Sequence, residues 1–156
     1  MKSVLLVADQ PVVVSAIRLA LRNSAAFRVV ATVDGRGSAR PSLTEHGHDV
    51  VLVDEMCQRT NALARLQEAS EAAPGATIML LAICLDPAWL GDAFAAGAHA
   101  VVSRRLNAAT LGTLLREVVH GTVVLAPSRP LTASGPPARR HAHLRALSDQ
   151  EARTSA

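Results

Sequence analysis

Asp49-Val50-Val51-Leu52-Val53-Asp54-Glu55 decides how the chain reads. Four apolar residues run without a break between acidic flanks, and three of the four are β-branched. An uninterrupted apolar run of this length predicts a strand buried on both faces, the kind found in a parallel sheet covered by helices. Asp54 then emerges where ligands bind in open α/β sheets, just beyond the carboxyl ends of the strands. Val4-Leu5-Leu6-Val7 is a second strand of the same type and runs into Ala8-Asp9. If the two strands lie side by side, Asp9 and Asp54 share one acidic edge.

Outward from these runs, strand and helix alternate. Ser3 to Val7 is the first strand, and Pro11 opens a helix whose Val14, Ile17, Leu19 and Leu21 recur at helical spacing. Arg28 to Val33 is a strand closed by the Asp34-Gly35 turn. Gly35 to Gly47 stays ambiguous: Pro41 and Ser42 suit a short helix ending at Gly47. After the Val50–Val53 strand come a helix over Asn61–Ala73, stopped by Pro74-Gly75, and a strand over Thr77–Ala82. Asp86 caps a helix that Pro87 opens and Ala88–Ala96 continues to Gly97; Ala100–Ser103 is a short strand. Asn107 caps a last helix with Leu111, Leu114, Leu115 and Val118 on one face, ending near His120-Gly121. Five alternations predict an α/β fold, a doubly wound five-stranded parallel sheet with helices on both faces. In the flavodoxin-like order 2-1-3-4-5 the first and third strands are neighbours at the switch point, which places Asp9 beside Asp54.

Composition narrows the function. The 156 residues hold one ordinary domain plus a tail, and at 49% apolar and 19% charged most of the chain is expected to be globular. One Trp, two Phe and no Tyr leave almost no stacking surface for single-stranded nucleic acid. The net charge of +3 is modest, and much of the excess sits at Arg139, Arg140 and Arg145. Two cysteines, Cys57 and Cys84, suit a reducing compartment better than a disulfide framework. With neither a leader pattern nor a membrane-length apolar run, a soluble, cytoplasmic chain with no membrane partner is expected.

Past Pro127 the composition changes. Residues 128–146 are rich in Pro, Ser, Ala and Arg without periodicity and read as a linker. Leu147-Ser148-Asp149-Gln150-Glu151 then sets Ser and Glu at capping-box spacing, the start of a helix that the sequence as given does not complete. Residues 1–127 are expected to form one domain, and residues 147–156 the beginning of another.

Val4-Leu5-Leu6-Val7-Ala8-Asp9-Gln10-Pro11, Asp49-Val50-Val51-Leu52-Val53-Asp54 and Ala95-Ala96-Gly97-Ala98 leading to Ala100-Val101-Val102-Ser103 together resemble a response-regulator receiver domain, of the NarL/FixJ subfamily with its LuxR-type helix-turn-helix. Leu147 to Glu151 resembles the opening of that helix-turn-helix. The resemblance implies the CheY-like arrangement of the flavodoxin-like fold and makes Asp54 the counterpart of the phospho-accepting aspartate. It implies a pocket of Ala8, Asp9, Asp54, Ala82 and Arg104, a switch position at Val101, and a Mg²⁺ site at Asp9, Asp54 and Met56. The pocket is atypical. Ala8 stands where the family has a second carboxylate, and Mg²⁺ bound through few carboxylates is weakened by losing one. Ala82 replaces a phosphate-bonding hydroxyl, Gln58 stands at the usual proline, and Arg104 stands where the family has a lysine of different shape. Phosphoryl transfer is mainly positioning and electrostatics, so each missing donor counts against it.

The implied role is a non-enzymatic regulator that acts as a homodimer, mostly independently of phosphate, on DNA through the C-terminal domain. Mg²⁺ is possible but weak, and no cofactor is required. Two alternatives remain: a conventional Asp54 phospho-acceptor served by a sensor kinase, and a ligand-binding or protein-docking module with a small molecule in the pocket. Arg104 reads either as a surface residue or as a counter-charge to Asp54, the latter favoured because two anions at one edge want a cation. His46 and His48, like His141 and His143, lack zinc-site company and read as loop histidines. Cys57 has no evident cation to make it reactive. Arg139 and Arg140 read as solvated linker charges, and the Leu111, Leu115 and Val118 face as core.

Overall fold

The computed structural model describes residues 1–105 and 107–120. The expected linker and second-domain start, with Arg139, Arg140, Arg145, His141 and His143, lie outside the described residues, as do residues 121–127. Ten elements alternate: β1 (Lys2–Ala8), α1 (Pro11–Arg22), β2 (Phe27–Asp34), α2 (Arg40–Glu45), β3 (Val50–Asp54), α3 (Arg59–Ala72), β4 (Thr77–Ala82), α4 (Pro87–Ala95), β5 (Ala100–Ser103) and α5 (Ala108–Val119). All strand pairs are parallel, in the order β2-β1-β3-β4-β5. The expected sheet and its order are therefore present.

Alternation along each strand sends neighbouring side chains to opposite faces. Leu5, Val7, Val51, Val53, Ile78 and Leu80 pack on one side against Leu43 of α2, Leu66 of α3 and Trp89 of α4. Val4, Leu6, Val50, Leu52, Met79 and Leu81 pack on the other against Ile17 and Leu21 of α1 and Leu111 and Leu115 of α5. Every residue of β3 is buried because β3 is central and covered on both faces, whereas the edge strand β2 alternates.

Local chemistry sets the boundaries. Asp86 and Asn107 accept hydrogen bonds from the backbone N–H groups of Trp89 and Thr110, capping α4 and α5. Gly97, at φ +110°, closes α4: its N–H reaches the carbonyl of Phe94, and the Ala98 N–H reaches that of Ala93. The segment between Gly35 and Gly47 forms the short α2, with Pro41 in its first turn. One sequence expectation is corrected. Leu19 does not join the core face of α1 but stays 59% exposed, because Val14, Ile17 and Leu21 share a face that Leu19 is turned away from. Val12 is exposed as well, so the apolar arc of α1 is wider than the part that packs on the sheet, with Ser15, Arg18 and Arg22 on the opposite face.

Candidate functional site

The carboxyl edge of the sheet gathers the ends of β1, β3, β4 and β5. Asp54 closes β3 with no exposed surface. Directly after β5, the Arg104 N–H donates to the Ala82 carbonyl at 2.8 Å, which aims the arginine back over the sheet end. Its Nη1 donates to both oxygens of Asp54, at 3.1 Å to Oδ1 and 3.0 Å to Oδ2. Asp54 Oδ2 also accepts the Met56 backbone N–H at 3.1 Å. That bond holds Met56 in the left-handed region, φ 62°, which is uncommon for a residue with a side chain. Burial pushes the Asp54 carboxyl above the usual carboxylate range, opposed by the hydrogen bond and charge of Arg104 and by the Met56 N–H; the charge of Asp9 adds to the rise.

Asp9 follows β1 and is half-buried. Its Oδ2 accepts the Cys57 N–H at 3.1 Å, while its buried Oδ1 has no partner among the described residues. Gln10 Nε2 lies 3.0 Å from Cys57 Sγ, so the loops after β1 and β3 are tied twice. Ala8 and Ala82 are buried and supply no polar side-chain atom, and Val101 is buried among the core residues of β5. The tip of the buried Met56 side chain packs on Gly35: a Cβ there would meet Met56 Sδ and lie 3.2 Å from a methyl of Val7, so a larger residue requires the Met56 tip to move.

Asp9 and Asp54 are two carboxylates, and among the described residues no group of three or more His, Cys, Asp and Glu side chains could hold a metal ion. Both oxygens of Asp54 already face a guanidinium. A divalent ion held by Asp9, Asp54 and Met56 would have to compete with the tethered cation of Arg104 for the same carboxylate.

A second polar cluster, which the sequence signals only weakly, adjoins the site. Glu55 is buried; its Oε1 accepts from Arg59 Nε at 2.8 Å and its Oε2 from the Ile83 N–H at 2.6 Å. Arg59 also pairs with Asp86 at 3.1 Å and lies 4.8 Å from the centre of the Trp89 ring. The cluster clamps the loop between β4 and α4 to the end of β3. The i,i+4 spacing of Glu55 and Arg59 is its one sequence signal.

No family model and no curated protein matches the sequence. Solved structures do match. A LuxR-family two-component response regulator from Aurantimonas sp. SI85-9A1 superposes with a TM-score of 0.70 at 22% identity, covering 78% of this chain and 86% of that one. The non-phosphorylated receiver domain of the stress response regulator RcsB from Escherichia coli gives 0.66 at 18%, covering 77% and 94%. A candidate pilus assembly protein, CpaE, from Burkholderia thailandensis E264 gives 0.65 at 22%, covering 77% and 99%. Likeness at these identities establishes architecture alone: the chain carries the CheY-like receiver fold, with Asp54 and Arg104 at its carboxyl edge.

Proposed function

We propose that this chain is the receiver-like regulatory part of a bacterial two-component-type transcription regulator, working largely without phosphorylation. In this reading it acts by dimerising and by positioning a C-terminal DNA-binding domain, and it turns over no substrate. The observation that carries the proposal is the contact of Arg104 Nη1 with both oxygens of Asp54. The oxygen that would attack a phosphodonor is held by a cation, and nothing at Ala8 or Ala82 replaces the missing carboxylate and hydroxyl. Removing one preorganised donor from an active site typically costs roughly 3 kcal/mol of barrier, and here two groups are absent. Arg104 supplies permanently the positive charge that a working pocket recruits as a metal.

Intact-mass spectrometry after incubation with acetyl phosphate and Mg²⁺, with Asp54→Asn as control, tests the proposal. No phosphoryl adduct is expected. An adduct that disappears in Asp54→Asn establishes the conventional phospho-acceptor reading instead. The surviving buried Asp54 is the observation that favours that second reading.

A further inference from the structure

Beside the acidic pocket, an open groove of ≈ 490 Å³ runs between α1 and α5, within the size range of small-molecule sites. Ala16, Ile17 and Ala20 of α1 and Leu111 of α5 make its apolar walls, and Leu81 at the end of β4 reaches its floor. Gln10, Ser103 and Arg104 line it too, and all three sit at the carboxyl edge of the sheet, so the groove is apolar along the helices and polar at one end.

Arg104 is therefore shared between two places. Its Nη1 serves Asp54, whereas Nε and Nη2 donate to no group among the described residues, and the side chain is 28% exposed. The Nε–Nη2 edge of a guanidinium is a planar fork that matches two oxygens of a carboxylate. We propose that the α1–α5 groove binds an amphipathic organic anion, its apolar body along Ala16, Ala20 and Leu111 and its carboxylate on the free edge of Arg104. Charge complementarity selects this occupant over a neutral apolar one, because the polar end offers a cation with unused donors. Occupancy sets a second anion on the guanidinium that neutralises Asp54, so the ligand reaches the buried carboxylate through one side chain. The inference stands on the groove and the guanidinium and holds whether or not Asp54 accepts phosphate.

The test uses the 156-residue chain with octanoate as the probe and octan-1-ol as its uncharged analogue, followed by amide chemical shifts and by the thermal midpoint. Octanoate is expected to shift the amides of α1, α5 and Arg104 saturably and to raise the midpoint, since a ligand of the native state stabilises it. Octan-1-ol is expected to bind roughly tenfold more weakly, the scale of a charge-assisted pair. Arg104→Lys, which keeps the charge and loses the fork, is expected to weaken octanoate by a similar factor. Ala16→Phe, at an exposed position that folding tolerates, is expected to abolish the shifts by filling the groove. Equal binding of octanoate and octan-1-ol, indifference to Ala16→Phe, or no saturable shift overturns the proposal. So does sedimentation showing a dimer that octanoate does not perturb and Ala16→Phe dissociates, which assigns the groove to a second copy. Each result is separate from the phosphoryl-adduct measurement.

Discussion

Asp49 and Asp54 flank the same apolar run, one at each end of the sheet, and they are treated in opposite ways. Asp49 is 40% exposed and accepts two bonds from Ser3, 2.7 Å from its N–H and 2.9 Å from its hydroxyl, with Lys2 at 3.3 Å. Those donors, the Ser3 N–H first, pull its carboxyl below the usual range against a smaller opposing effect of burial. Asp54 is fully buried, has a charged partner, and is nevertheless pushed up because desolvation outweighs that partner. An exposed carboxylate whose main donors are neutral stitches two strands together. A buried one with a single cation is held at a cost, and such sites cluster where proteins function.

The sharpest way to break the comparison is to remove the cation. Arg104→Met leaves Asp54 buried with no counter-charge, and breaking a buried pair in this way costs about 3 kcal/mol. Urea unfolding at pH 7 measures it. The loss is expected to be smaller at pH 4 than at pH 7, because acid favours the protonated Asp54, which does not need the guanidinium. A loss that is the same at both pH values would show that Arg104 matters for packing and not for charge.

Next in size is Asp49→Ala. It removes the two Ser3 bonds and the Lys2 contact, and because the site is 40% exposed and water replaces part of what is lost, a destabilisation of about 1 kcal/mol is expected in the same urea experiment. Direction with pH then separates the two ends of β3. Asp49 is depressed below its unfolded value, so its contribution is present above pH 3.8 and is lost as the pH falls through its folded-state value. Asp54 is raised, so below pH 3.8 it is protonated folded or unfolded and costs nothing; its penalty grows as the pH rises through its folded-state value. Stability measured against pH for Asp49→Asn is expected to converge on the parent at low pH, while that of Asp54→Asn gains on the parent as the pH rises.

How far the sequence discloses this site follows from which interactions are local. The apolar runs at Val4–Val7 and Val50–Val53 predict buried parallel strands because they are short, wholly apolar and followed at once by helical patterns; the alternation gives the parallel sheet, and the flavodoxin-like fold its order. Asn107 and Asp86 predict helix starts for the same local reason. Leu19 misleads because the apolar arc of α1 is wider than the part that packs on the sheet, so apolar character alone does not pick the buried residues. An arginine just past the fifth strand is readable as a counter-charge, and the Asp54 contact is there; that one nitrogen takes both oxygens, and that the same residue lines a groove with α1, depends on how distant segments pack and is not readable. The Glu55, Arg59, Asp86 and Trp89 cluster is hidden likewise, since it rests on the path of the loop after β4.

The smallest expected effect comes from Asp54→Asn, and its smallness is the point. In Arg104→Met the group left behind is buried and has no route to water; in Asp54→Asn the group left behind is Arg104, 28% exposed, on a long side chain able to swing its head into water. The amide oxygen of Asn still accepts the Met56 N–H, so no buried donor is orphaned. Desolvation of a carboxylate is removed at the same time as its ion pair, and the two changes oppose each other, leaving stability at pH 7 within about 1 kcal/mol of the parent. Two truncations of one ion pair thus differ by a few-fold in cost, set by which partner can reach water. The double variant Asp54→Asn with Arg104→Met closes the cycle and is expected to recover most of the loss seen in Arg104→Met alone. If the double variant is instead as unstable as Arg104→Met, the cost lies in lost contacts of the arginine stem, and Asp54 is no more strained than Asp49.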